Sequence, residues 1–229
     1  MVRSGWLLGL DGDAARVAGL GLVRLAADEW AGGPDGAAEG STGAAAWLWH
    51  VRAASFADTW LAYGDSPAPG LRVPAGAVLE SLARRAAELV LRARRDDGPA
   101  ALEWLGLWSA EARERAHWAD TAHPSEPAAL VLVWHGVQAI TAEDPEDRDA
   151  HGRHITERCE AYVRERHRRQ DTLALLLSCA RIAATALVEL GDGDPARAGR
   201  WLEDLADRTV PHDGPAPLWV PGRPSQTAG

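Results

Sequence analysis

Residues 173–188, Leu-Ala-Leu-Leu-Leu-Ser-Cys-Ala-Arg-Ile-Ala-Ala-Thr-Ala-Leu-Val, form the longest apolar stretch of the chain, and Arg181 is the one charged residue within it. A membrane span needs about 20 apolar residues and tolerates a central arginine poorly. We therefore expect a buried helix from Thr172 to Leu190, with Asp171 as its capping residue. Such a helix must be surrounded by other helices or sheets, so it predicts a core element of a globular fold.

The segments on either side of this stretch follow the same helical periodicity, with glycine, proline or acidic residues between them. We find no convincing alternating strand, so the sequence predicts an all-α fold: a single multi-helix bundle of seven or eight helices over residues 1–210. Residues 211–229 contain five prolines and three glycines and are expected to form a flexible tail. The expected helices cover approximately residues 13–30, 42–63, 75–95, 99–119, 128–141, 147–169, 172–190 and 195–208.

Composition limits the classes of partner. The net charge of −9 argues against a dedicated nucleic-acid binder, which would normally carry a basic excess. The apolar run Trp6–Leu10 is too short for the core of a signal peptide, so we expect a soluble, cytoplasmic protein without a membrane partner. Cys159 and Cys179 are too few for a disulfide framework, and both lie among apolar residues, so buried free thiols are expected.

One candidate metal site lies on the helix expected after residue 99. Glu111, Glu114 and His117 are spaced by three and therefore lie on adjacent turns. Glu114 and His117 match the Glu-x-x-His element of di-iron carboxylate bundles, but a second such element is absent and the complete pattern fails. A solvated helix face is the alternative, because Glu111 can pair with Arg115.

A second candidate metal site lies near the start of the sixth expected helix. His151 and His154 are three residues apart, a spacing at which two imidazoles can bind one ion. A histidine from a preceding helix, His117 or His123, would complete a three-histidine site. The alternative is again a solvated face, on which the neighbouring arginines would repel a cation.

Polar residues inside otherwise apolar helices indicate a third candidate site. A buried charge or imidazole needs a partner, and such groups can line a ligand pocket together with aromatic side chains. Structural pairing within the core is the alternative. The residues that could line this pocket are His50, Trp49, Trp104, Trp134, His135 and Arg181.

No catalytic constellation is complete, and the sequence indicates no family. Our leading hypothesis is a non-catalytic binding or protein-interaction module with a protein partner, since tryptophan and arginine are favoured at interface hot spots. The alternatives are a metal-dependent helical-bundle enzyme with histidine and glutamate ligands, which would hold a divalent metal, and a small-molecule sensor with a tryptophan-lined pocket.

Overall fold

The computed structural model describes residues 15–27, 52, 55, 61–62, 73–118, 125–165, 169–194 and 197–202. Over these residues the chain is an all-α bundle with one two-stranded parallel sheet, so the predicted fold class is confirmed. The first 14 residues, most of residues 28–72 and residues 203–229 lie outside this set, and with them the predicted tail. In chain order the elements are α1 (residues 15–27), β1 (Leu61–Ala62), β2 (Val73–Pro74), α2 (Ala75–Ala93), α3 (Gly98–Trp118), α4 (Glu126–Thr141), α5 (Pro145–Glu165), α6 (Arg169–Leu190) and α7 (residues 197–202).

Local signals in the sequence explain where several helices begin. Asp97 caps α3, because its Oδ1 accepts a hydrogen bond of 2.9 Å from the backbone N–H of Ala100. Asp144 caps α5 in the same way through the backbone N–H of Glu146, also at 2.9 Å. The acidic first turn of α5 suits the positive end of the helix dipole. The break expected at Gln170–Asp171 is not observed, because α6 is already helical at Arg169. Asp171 therefore lies within the first turn of α6 and is not its capping residue. Residues 166–168, between α5 and α6, lie outside the described set.

One prediction about secondary structure is wrong. The expected helix over residues 42–63 does not include its last residues, because Leu61–Ala62 form β1 and pair in parallel with Val73–Pro74. The backbone of Pro74 is extended, at φ −56° and ψ 127°, so β2 ends directly before the first residue of α2. Leu61 is 1% exposed, so this pairing also buries an apolar side chain against the bundle.

The core is built around α6, which is apolar on nearly all sides. From Ala174 to Leu187 only Arg181 is exposed, as expected for a helix enclosed by others. By length and composition the segment Asp171–Leu190 is the one helix among the described residues that could cross a membrane, and 67% of its most apolar window is buried in the bundle. It packs most extensively against α2, whose buried residues include Val78, Leu82 and Leu89.

Both cysteines are free and buried, as predicted. Burial raises the pKa of the Cys159 thiol to about 12, and it raises the pKa of the fully buried Cys179 as well. Because the thiolate is the reactive form of cysteine, both groups are expected to be inert at neutral pH.

Helices α2 and α4 approach each other closely at Gly136. A Cβ atom at this position would lie 2.6 Å from Cβ of Ala87 and 3.5 Å from the carbonyl oxygen of Ala83. Neither neighbour is the end of a flexible side chain, so a substituent at Gly136 would push the two helices apart. The position of α4 on α2 therefore depends on three small residues.

We expect Gly136→Ala to destabilise the fold by about 1–2 kcal/mol, because the cost of overpacking exceeds the gain in helix propensity of up to about 1 kcal/mol. Gly106→Ala on α3 is the matched control, since a Cβ there meets nothing within 4 Å. This control should be neutral or stabilising. Urea unfolding of both variants measures the difference, and a Gly136→Ala protein as stable as the wild type would contradict the tight crossing.

Candidate functional site

Three histidines from two helices meet on one side of the bundle. The connection from α4 to α5 is only residues 142–144, so the two helices pack as antiparallel neighbours. His135 of α4 faces His151 and His154, which lie one turn apart on α5. Nδ1 of His135 is 3.1 Å from Nδ1 of His151, and the ring centroids of His135 and His154 are 4.1 Å apart. We call His135, His151 and His154 the histidine cluster.

Two neighbouring side chains, Trp134 and Arg158, contact the imidazole rings of the cluster. The indole of Trp134 packs edge-on against the rings of His135 and His151, with centroid distances of 5.0 and 6.1 Å. Arg158 lies one turn after His154 on α5, and its Nε donates a hydrogen bond of 2.5 Å to Nε2 of His154. Because Nε2 accepts this bond, neutral His154 must carry its proton on Nδ1. The Nδ1–Nδ1 contact likewise requires one donor and one acceptor, so His135 and His151 have opposite protonation at that atom.

Electrostatics in the cluster favour neutral His135. Burial is the largest of the effects that together lower the pKa of His135 from 6.5 to about 4; the charges of His154, His151 and Arg158 follow in that order of importance. A histidine with such a pKa stays neutral throughout the physiological range and keeps a free lone pair as acceptor or ligand.

This shift predicts a loss of stability in acid. The unfolded chain takes up a proton on His135 below pH 6.5, whereas the folded protein resists protonation until about pH 4. The folded state should therefore lose stability as the pH falls from about 6.5 to about 4, and this residue should contribute no further loss below that range. Chemical unfolding measured from pH 7 to pH 4 should show a smaller loss for His135→Gln than for the wild type. Parallel pH profiles of the two proteins would contradict the shift.

A cleft of about 770 Å³ lies between α2, α4 and α5, on the side of α5 roughly opposite the histidine cluster. Gly136, Ala139 and Ile140 of α4 supply its apolar surface, and charged residues of α2 and α5 supply the rest. The lining residues are Arg84, Glu88, Gly136, Ala139, Ile140, Arg148, Asp149, Gly152, Arg153, Thr156 and Glu157.

A polar network holds α5 against α2 at one end of this cleft. Nη2 of Arg84 donates to Oε1 of Glu80 at 2.9 Å and to the carbonyl oxygen of Gly152 at 3.2 Å. The hydroxyl of Thr156 donates to the same Glu80 oxygen at 2.9 Å. The carboxylate of Glu80 therefore joins one residue of each helix, and the guanidinium of Arg84 is held in place.

The charged groups of the cleft differ in whether they are already paired. Arg148 donates to the carbonyl oxygen of Ala142 at 3.0 Å, and Glu88 pairs with Arg85. Within the ranges given above, Arg153 makes no hydrogen bond or ion pair, although carboxylates stand one turn away on either side of it in the helix. Among the described residues, those carboxylates, Asp149 and Glu157, likewise make no hydrogen bond or ion pair through their side chains.

The residues predicted to line a pocket do not form a single set of contacts. Trp134 and His135 lie together, but their neighbours are the histidines of α5. Trp104 packs edge-on against Trp108 with centroids 5.0 Å apart, and the guanidinium of Arg94 lies 4.9 Å from the centroid of Trp104. The side chain of Arg181 is exposed on α6. His50 and Trp49 lie outside the described residues.

Only some of the side chains predicted to bind metal belong to the part of the chain that the structure describes. Glu111 is exposed on α3, whereas the side chains of Glu114 and His117 lie outside the described set, as does His123. His151 and His154 do have a histidine from the preceding helix beside them, but it is His135. Among the described side chains, no group of three or more His, Cys, Asp and Glu residues is arranged as a metal site.

Sequence reasoning missed the cleft entirely. Its apolar surface depends on Gly136, which reads as an unremarkable glycine within a helix. Part of its charged surface is the run Asp149, Arg153 and Glu157, spaced by four as on any solvated helix. The four-residue spacing was visible in the sequence, but the facing residues of α2 and α4 were not.

Comparison with known proteins adds no relative to this description. No protein-family model, no curated protein and no solved structure matches the chain. The functional argument therefore rests on the geometry of the cleft and of the histidine cluster.

Proposed function

We propose that the protein is a non-catalytic binding protein whose ligand occupies the cleft between α2, α4 and α5. The observation that carries this proposal is Arg153, a guanidinium that lines the cleft without an ion pair in the described part of the chain. A charged group held at a concave surface without a partner is available for a ligand. The volume of about 770 Å³ lies within the range of about 300–1,000 Å³ typical of small-molecule sites.

The charges of the cleft favour a dipolar ligand. Arg153 can bind a carboxylate in a two-point contact, as guanidinium groups commonly do. Asp149 and Glu157 lie one turn to either side and can accept hydrogen bonds from an ammonium group. A ligand with only one of these charges would cover either the guanidinium or the carboxylates without pairing with them. Removing such an unpaired charged group from water costs free energy and would weaken binding.

The apolar surface favours a ligand that also has a hydrophobic part. Ile140 lines the cleft and is 48% exposed, so about half of this aliphatic side chain faces water. Covering it would gain about 25 cal/mol for each Å² removed from water. We therefore propose an amino-acid-like zwitterion with an apolar side chain as the class of ligand.

The remaining expectations about location and partners rest on composition. We propose a partner that is not a nucleic acid, on the basis of the net charge of −9. We also propose a cytoplasmic location, because the apolar run Trp6–Leu10 is too short for the core of a signal peptide. The protein-interaction hypothesis has separate support in the exposed side chains of Leu107, Val131 and Trp134, which are 61%, 36% and 37% exposed.

Titration calorimetry with a small panel of compounds tests the ligand class. We expect an apolar amino acid such as leucine to bind, and we expect the corresponding carboxylic acid without the amine, and the amine without the carboxylate, to bind at least about tenfold more weakly. Arg153→Ala should abolish binding of the zwitterion.

Arg164→Ala is the matched control, because Arg164 lies on the same helix, is exposed and is outside the cleft. It should bind as the wild type does. If no compound of the panel binds, or if Arg153→Ala binds as tightly as Arg164→Ala, the proposal is wrong.

A further inference from the structure

The geometry of the histidine cluster points to a second site, independent of the cleft. Two nitrogen atoms bound to one tetrahedral zinc ion, with bonds of about 2.0–2.1 Å, lie about 3.3 Å apart, and at a right angle they lie about 2.9 Å apart. The Nδ1 atoms of His135 and His151 are 3.1 Å apart, between these two values. The two Nδ1 atoms are thus already at the spacing of ligands that share one ion, and the ring that donates the hydrogen bond needs only to carry its proton on Nε2 instead.

We propose that the histidine cluster binds a divalent transition-metal ion, with Nδ1 of His135 and Nδ1 of His151 as the first two ligands and His154 as the third. The ion would replace the hydrogen bond between the two Nδ1 atoms. Water would complete the coordination on the solvent side, since both His151 and His154 are partly exposed.

The third ligand is not in place in the unliganded protein. Nε2 of His154 accepts the hydrogen bond from Arg158, and the described side chains accordingly show no ready three-ligand group. The ring of His154 is nevertheless close, with its centroid 4.1 Å from that of His135. A change of its side-chain torsions, with release of Arg158, would turn a nitrogen toward the ion.

Arg158 therefore opposes metal binding in two ways. Its guanidinium holds the third ligand, and its positive charge repels an incoming cation. Asp147, one turn before His151 on α5, is a carboxylate that offsets part of this charge. Removing Arg158 should therefore tighten metal binding, an effect that a purely structural histidine cluster would not show.

The nature of the ligands selects the ion. Imidazole nitrogen suits Zn²⁺, Cu²⁺ and Ni²⁺, whereas Mg²⁺ prefers oxygen ligands. Among these three ions, Cu²⁺ has the highest intrinsic affinity for nitrogen ligands. We therefore expect Cu²⁺ to bind most tightly.

Calorimetric titration of the full chain without a histidine tag, at pH 7.5, tests the site with Zn²⁺, Ni²⁺, Cu²⁺ and Mg²⁺ as separate probes. We expect one equivalent of each transition metal to bind and Mg²⁺ not to bind. His151→Ala should weaken binding by more than about tenfold, since even residues that only orient a ligand are worth about 10–100-fold. Arg158→Ala should tighten it severalfold.

His212→Ala is the control for the histidines outside the cluster and should leave the affinity unchanged. Arg153→Ala, which removes the proposed cleft ligand contact, should also leave metal affinity unchanged, so the two proposals fail separately. If His151→Ala does not fold, as judged by circular dichroism, Arg158→Ala provides the test, because Arg158 is exposed. Absence of binding by all three transition metals, or equal affinities in the wild type, His151→Ala and Arg158→Ala, would overturn the proposal.

Discussion

The burial of α6 against α2 is the constraint on which the rest of the structure depends. Helix α6 presents leucine, isoleucine and alanine on nearly every side, so it is stable only when other helices remove those side chains from water. The many alanines among the buried residues of α2 and α6 let the helices approach closely. On its other flank α2 uses Ala83 and Ala87 against Gly136, so the same requirement for small residues positions α4 and, through the short connection, α5.

Local chemistry explains why the helices could be predicted from the sequence. Asp97, Asp144 and the prolines after them act within a few residues of their own position, and the predicted helix starts agree with the structure there. The sheet could not be predicted in this way. Leu61 pairs with Val73 across eleven intervening residues, and a pattern read over one turn contains no information about such a partner.

In the candidate sites, too, the spacing of residues on one helix could be predicted, whereas the contacts between helices could not. The spacing of His151 and His154 predicted that they would share one helix face, and they do. Their third neighbour was expected from His117 or His123, but His135 supplies it, because the close approach of α4 to α2 sets which turn of α4 faces α5. The cleft needed three helices at once and could not be predicted from any one of them.

Gly152 connects the two sites physically. It lies between His151 of the histidine cluster and Arg153 of the cleft, and its carbonyl oxygen accepts the hydrogen bond from Arg84 of α2. A Cβ atom at this position would lie 3.8 Å from the Arg84 guanidinium, in ordinary contact, so the glycine leaves room for the arginine without being required by its backbone conformation. Because this contact fixes the turn of α5 that carries both neighbours, a shift of α5 on α2 would move His151 and Arg153 together. The separation of the two sites across α5 therefore follows from the helical repeat, and their precision follows from the contact between Arg84 and Gly152.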